Sequence, residues 1–247
     1  MARSFNGTSY LPSVDTAIAW GIGTGNFTMC CWVYSRDQSD ANWHACMSFA
    51  STGANSPGIF TRSPTRTDWS VYFGSNEQFD TVMVDDQWYH LCARRTGTGS
   101  GQFHGFVDGV QEATTQQNST SFIEASWVFG AGRPNGNYRL DGDVAEAALW
   151  DTDLTDDEIA ALAQGFSPSM VRPDQLLAYA PLIRDEDRDL QDRAGGFTPT
   201  SSPTVADHPR IIYPPPKRIV YPVPSAAPAD PAFNQYARKH TNVLLRR

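Results

Sequence analysis

Lysine is almost missing from this chain. Of its 247 residues only Lys217 and Lys239 are lysine, and both lie beyond residue 207. From residue 208 onward seven Lys or Arg stand against one acid, Asp230, a net +6; with −8 for the whole chain, residues 1 to 207 carry −14. Nucleic-acid phosphates are held by basic surface, so direct nucleic-acid binding by residues 1 to 207 is excluded. Long apolar runs are missing too, and none approaches the roughly 20 residues of a membrane-spanning helix. No charged-then-apolar leader precedes Phe5. Synthesis and folding in a cytoplasm are therefore expected, with the sequons at Asn6, Asn26 and Asn118 left bare. The His-Glu-x-x-His pattern, the nucleophile elbow and the phosphate loop do not occur, which excludes the chemistries built on them.

Cysteine is scarce as well. Cys30, Cys31, Cys46 and Cys92 all fall inside apolar strand patterns, without the paired spacing of a zinc ribbon. Neighbours in a strand point to opposite faces, so Cys30 and Cys31 argue against a disulfide framework. Small buried hydrophobes in a reducing compartment are expected.

What the chain does have is turns. Short apolar runs are separated by Gly, Asn, Asp and Ser, the pattern of antiparallel sheets. Asp108-Gly109 between Phe106-Val107 and Val110 predicts a two-residue hairpin, whose turn needs positive φ. Trp88, His90 and Cys92 share one face of their strand, while Tyr89, Leu91 and Ala93 share the other. Both faces are covered, as in a central strand. One helix is predicted, near Thr155 to Gln164. Thr155 and Glu158 have capping-box spacing, Asp156 and Asp157 favour the positive end of the helix dipole, and Gly165 can close it.

Leu140-Asp-Gly-Asp-Val-Ala-Glu-Ala-Ala-Leu-Trp150, running straight into that acidic helix, resembles the closing segment of concanavalin A-like, laminin-G-like jelly-roll domains. Ser4–Leu11 resembles the family's opening strand and Gly25–Tyr34 its second. Asp85–Arg94 resembles its Trp-His strand, and Phe103–Val110 the hairpin after it. The resemblance covers about residues 3 to 207. It implies an all-β concanavalin A-like jelly-roll sandwich of two antiparallel sheets with one short helix.

Residues 208–247 are unlike the rest. Arg210-Ile-Ile-Tyr-Pro214 recurs as Arg218-Ile-Val-Tyr-Pro222, and the surrounding prolines favour an extended, polyproline-like ribbon. Asp230-Pro231 can open a short basic amphipathic helix carrying Phe233, Tyr236, Ala237, His240 and Leu244. Composition thus divides the chain into a domain, 1–207, and a basic Pro-rich assembly arm, 208–247. Arg210, Ile212, Tyr213, Arg218, Val220, Tyr221, Phe233 and Tyr236 are its expected contact residues. The run His208-Pro-Arg-Ile, entering a Pro-rich arm after such a domain, resembles capsid- or tail-decorating proteins of tailed bacteriophages. That resemblance implies a virion structural protein present in multiple copies in a symmetric assembly. Its partners would be a major capsid protein or tail proteins, and host surface glycans. The alternative is a free carbohydrate-binding lectin or module.

Three chemistries bear on the domain. Jelly-roll glucanases of the superfamily carry Glu-x-Asp-x-x-Glu, and Asp141, Asp143 and Glu146 give a related pattern. In a regular strand, however, Glu146 faces away from the two aspartates unless a bulge intervenes. No catalytic residue is expected, and glycoside hydrolysis ranks below the lectin alternative. A structural Ca²⁺, common in the superfamily, would take Asp141 and Asp143, with Asp151 and Asp153 nearby. A glycan site would draw on aromatics and amides of loop-like stretches, namely Trp43, His44, Trp69, Asn135, Asn137 and Tyr138, with Tyr72 beside them.

Overall fold

A computed structural model describes residues 2–16, 22, 25–36, 43–50, 57–61, 69–114, 126–132, 138–182 and 204–214. Fourteen strands and one α-helix form there, and the all-β expectation holds. The larger sheet has eight strands, several of them buried on both faces. It contains β1 (Ala2–Asn6), β3 (Phe27–Ser35), β8 (Trp88–Arg95), β9 (Phe103–Val107), β10 (Val110–Thr114), β12 (Asp141–Trp150), β13 (Leu176–Ala180) and β14 (Thr204–Ala206). Its order is β10-β9-β8-β3-β12-β1-β14, with β13 pairing the second half of β12. The smaller sheet runs β2-β11-β4-β5-β6-β7, from β2 (Leu11–Thr16), β11 (Ser126–Phe129), β4 (Ala45–Ala50), β5 (Gly58–Thr61), β6 (Trp69–Tyr72) and β7 (Asn76–Gln78). Every pairing between the named strands is antiparallel.

Aromatic rings fill the space between the sheets. Phe27 of β3 meets Phe103 at 5.9 Å, Phe73 at 6.4 Å and Phe49 of the opposite sheet at 6.5 Å, and Phe49 stacks on Trp127. Edge and tilted contacts of this kind suit the ring quadrupole. The outer face of the larger sheet is covered in part by α1 (Asp156–Ala163), whose Ile159 and Leu162 bury against Cys92, Phe106, Trp150 and Tyr179. The capping box at Thr155 and Glu158 forms as the spacing predicts, and Gly165 follows at φ +91°. Asp108 and Gly109 both have positive φ, as their hairpin requires. No described helix is long and apolar enough to cross a membrane.

The chain divides into two compact units, Met1–Pro214 and Pro215–Arg247. The first therefore reaches beyond Asp207, where composition changes. Residues 208–213 dock on the domain's own surface. Ile212 bridges Phe166 in parallel, with Ile212 N–H donating to Gly165 O (2.6 Å) and Ser167 N–H to Ile212 O (3.0 Å). Gly165 permits this approach, because a Cβ there would lie 2.5 Å from Arg210 O. Of the expected arm residues, Arg210, Ile212 and Tyr213 thus belong structurally to the first unit. Arg218, Val220, Tyr221, Phe233 and Tyr236 lie outside the described residues.

Candidate functional site

On β5 the alternation of a strand sends Ile59 into the core and Phe60 to the outer face of the smaller sheet. Phe60 is the hub of an aromatic cluster there. Trp43 meets its ring at 6.3 Å, Tyr72 at 6.2 Å and Tyr138 at 6.4 Å, and Trp43 and Tyr138 lie 6.1 Å apart. Two glycines make room for it. A Cβ on Gly58 would fall 2.2 Å from the Phe60 ring, and one on Gly132 would meet both Phe60 and Tyr138 within 3.0 Å. Phe60 is 7% exposed, while Trp43, Tyr72 and Tyr138 are half-buried. The cluster is a floor of one buried ring with three rings presented around it.

Backbone contacts hold the presented rings. Ala45 N–H donates to Tyr138 O (3.0 Å), and the His44 ring Nδ1 lies 2.5 Å from Arg139 O. His44 is buried, so it braces the chain beneath Trp43 and Tyr138 instead of presenting an edge to a ligand. Tyr138 takes φ +61°, a left-handed conformation that turns the chain into β12. Asn135 and Asn137 lie outside the described residues. Trp69 departs from the platform expected of it. It is 1% exposed and belongs to the core cluster between the sheets. Sequence reasoning missed Phe60, whose signal was an aromatic at an outward position of a strand that opens with Gly58.

The acidic residues of β12 are engaged separately. Arg36 donates to Asp143 and lies 3.9 Å from Asp141 through its other terminal nitrogen. Burial raises the Asp143 pKa, with hydrogen bonds from Arg36 and Ser4 opposing that rise. A hard cation needs oxygen donors free of a competing cation, so the residues expected to hold Ca²⁺ do not fit it. Asp153 accepts from Asn26 Nδ2 (3.1 Å). Among the described residues no group of three or more His, Cys, Asp or Glu side chains is placed to hold a metal ion.

Glu146 sits where β12 slips its register against β3, at φ +52° and 1% exposed. The bulge does occur, and it turns this carboxylate toward Tyr179 and the docked segment. Tyr179 OH donates at 2.5 Å and Tyr213 OH at 2.8 Å, with His208 Nε2 at 3.0 Å. Desolvation and the neighbouring carboxylate push the Tyr179 and Tyr213 hydroxyls well above the usual phenol range, keeping both as donors. Glu146 is therefore a clasp for residues 208–213. A pair of carboxylates flanking a scissile bond would have to be open to substrate, and this one is closed by its own chain.

A sequence profile of the laminin-G type, described as the concanavalin A-like lectin/glucanases superfamily, matches residues 5–160. No curated protein matches the chain. Among solved structures, a candidate carbohydrate binding protein from Bacteroides ovatus is similar at a TM-score of 0.62 and 17% identity. That match covers 81% of this chain but only 58% of the other. A heptameric SAP-like pentraxin from Limulus polyphemus aligns at 0.51 and 16% identity, over 66% of this chain and 81% of its own. Domain 4 of AbnA, a GH43 extracellular arabinanase from Geobacillus stearothermophilus solved with arabinotriose, aligns at 0.50 and 15%, over 66% and 76%. At these identities the likeness is one of fold.

Proposed function

The chain belongs to the concanavalin A-like lectin/glucanase superfamily, and on that premise we propose that it binds carbohydrate, without hydrolysing it, at the aromatic cluster around Phe60. One observation carries this reading: Trp43, Tyr72 and Tyr138 are gathered, half-exposed, over one buried ring. Sugar rings present C–H faces that pack against such rings, while hydroxyls at their rim stay hydrated or reach polar neighbours. The similar Bacteroides ovatus protein, described as carbohydrate binding, and the arabinanase domain solved with arabinotriose support the same ligand class. Arabino-oligosaccharides are the first probe. Isothermal titration of the full chain should show binding, and Trp43→Ala and Tyr138→Ala should each weaken it about tenfold or more, roughly 1.4 kcal/mol. Both variants should keep the parent melting temperature. No binding across a glycan array would sink the proposal, as would variants that bind like the parent.

A second reading concerns where the domain works. The split between an acidic domain and a basic arm favours a display protein on a virion, its arm holding a capsid or tail protein. The clasp changes how this is tested. A chain ending at Pro214 should keep its stability and fail to join particles. One ending at Asp207 strips His208 and Tyr213 from a buried carboxylate and should lose about 1–3 kcal/mol. Full incorporation of the Pro214 chain would make residues 215–247 a linker and not an anchor, whereas failure of the intact chain to join particles would remove the virion reading and leave the lectin.

A further inference from the structure

The thiols of this protein come in facing pairs. Cys31 of β3 and Cys46 of β4 belong to different sheets, yet their Sγ atoms lie 3.7 Å apart, and both residues are fully buried. Cys30 points out of the opposite face of β3, where the register sets it directly across from Cys92 of β8. The alternation that separates Cys30 from Cys31 therefore delivers each to a different cysteine.

We infer that Cys31 and Cys46 form a disulfide site that staples the two sheets when the chain folds in an oxidising thiol–disulfide medium. Three observations support it. The sulfurs touch, with Cys31 donating toward Cys46 and Cys46 toward Ile59 O (3.6 Å). The sheets converge here, β3 and β4 coming within 8 Å between Cα atoms. A disulfide needs Cα atoms about 4.4–6.8 Å apart and sulfurs near 2.05 Å, so side-chain rotation with a small approach of the strands closes the bond. The pair also joins the middle of one sheet to the middle of the other, a link that no hydrogen-bond ladder supplies.

The oxidant is a small disulfide such as oxidised glutathione. One cysteine thiolate attacks its S–S bond, expelling one glutathione thiolate and leaving a mixed disulfide. The second cysteine thiolate then attacks the protein sulfur and expels the other glutathione. Two protein thiols lose two protons and two electrons, and one glutathione disulfide becomes two glutathiones. Burial raises the Cys46 thiol pKa and bars reagents from the folded interior. The bond therefore forms while the sandwich is still open.

The test is to refold the full chain in a glutathione redox buffer, alkylate it in denaturant and map its peptides. A Cys31–Cys46 cross-linked peptide is expected, with two thiols alkylated where the reduced chain shows four. Closing a loop of this length should raise the melting temperature by roughly 6–12 °C over the same chain kept reduced. Cys92→Ala should retain both effects, and Cys46→Ala should lose both. Absence of the Cys31–Cys46 peptide, including a sample cross-linked only between Cys30 and Cys92, overturns the inference. So does a cross-link that leaves the melting temperature unchanged or lower.

Discussion

Lowering the pH from 7 to 4 is expected to destabilise this protein by about 3 kcal/mol through one side chain, His90. Its imidazole lies on β8 at 1% exposure, its ring against Trp32 at 5.4 Å, and neither ring nitrogen has a hydrogen-bond partner. Burial disfavours the charged form and lowers its pKa from 6.5 to about 3. Above pH 6.5 the ring is neutral whether the chain is folded or not, and nothing is lost. Below it the unfolded chain takes up a proton that the folded one refuses, so stability falls as the pH drops toward 3. At about 1.4 kcal/mol per tenfold change the full effect is roughly 4–5 kcal/mol. Urea midpoints at pH 7 and 4 would measure it against His90→Leu, which has nothing to protonate. The parent should lose about 3 kcal/mol more than the variant over that interval. Parallel pH dependence in the two proteins would show that the folded interior admits the charge. Burial works to raise the Glu158 pKa, but Arg172 and the Thr155 capping contacts hold it low; its stabilising contribution is lost on acidification in both proteins and cancels in the comparison.

Trp69→Ala should cost about 3–5 kcal/mol, the usual penalty for removing a large ring from a packed core. Its indole is buried among the rings between the sheets and belongs to the core, not to the outward cluster around Phe60. The fall should appear as a melting temperature lower by roughly 10 °C. Carbohydrate affinity of the folded fraction should stay at the parent value. A variant that melts like the parent but no longer binds sugar would return Trp69 to the binding site.

Sequence and structure agree wherever a few neighbouring residues decide the outcome. The capping box at Thr155 and Glu158 needs one turn of helix, and the Asp108-Gly109 hairpin needs two residues with positive φ; both appear where they were expected. The alternating faces of β8 follow from period two alone. The ordered set of strand motifs reached further, to the sandwich itself, because a jelly roll buries alternate residues of both sheets. The candidate site was legible in part. Trp43 and Tyr138 do come together, but the residue that joins them, Phe60, is distant in sequence from both.

Composition alone settled that residues 1 to 207 are acidic and rich in turn residues and that a basic segment follows. It could not settle where the domain ends or which aromatics face out. Those outcomes depend on register between strands far apart in the chain, and a slip of one residue exchanges the two faces. The bulge at Glu146 is such a slip, and it makes a carboxylate that local pattern offers to a substrate into the anchor for His208 and Tyr213. The pairing of Cys31 with Cys46 arose in the same way, since only the closing of one sheet over the other brings those sulfurs together.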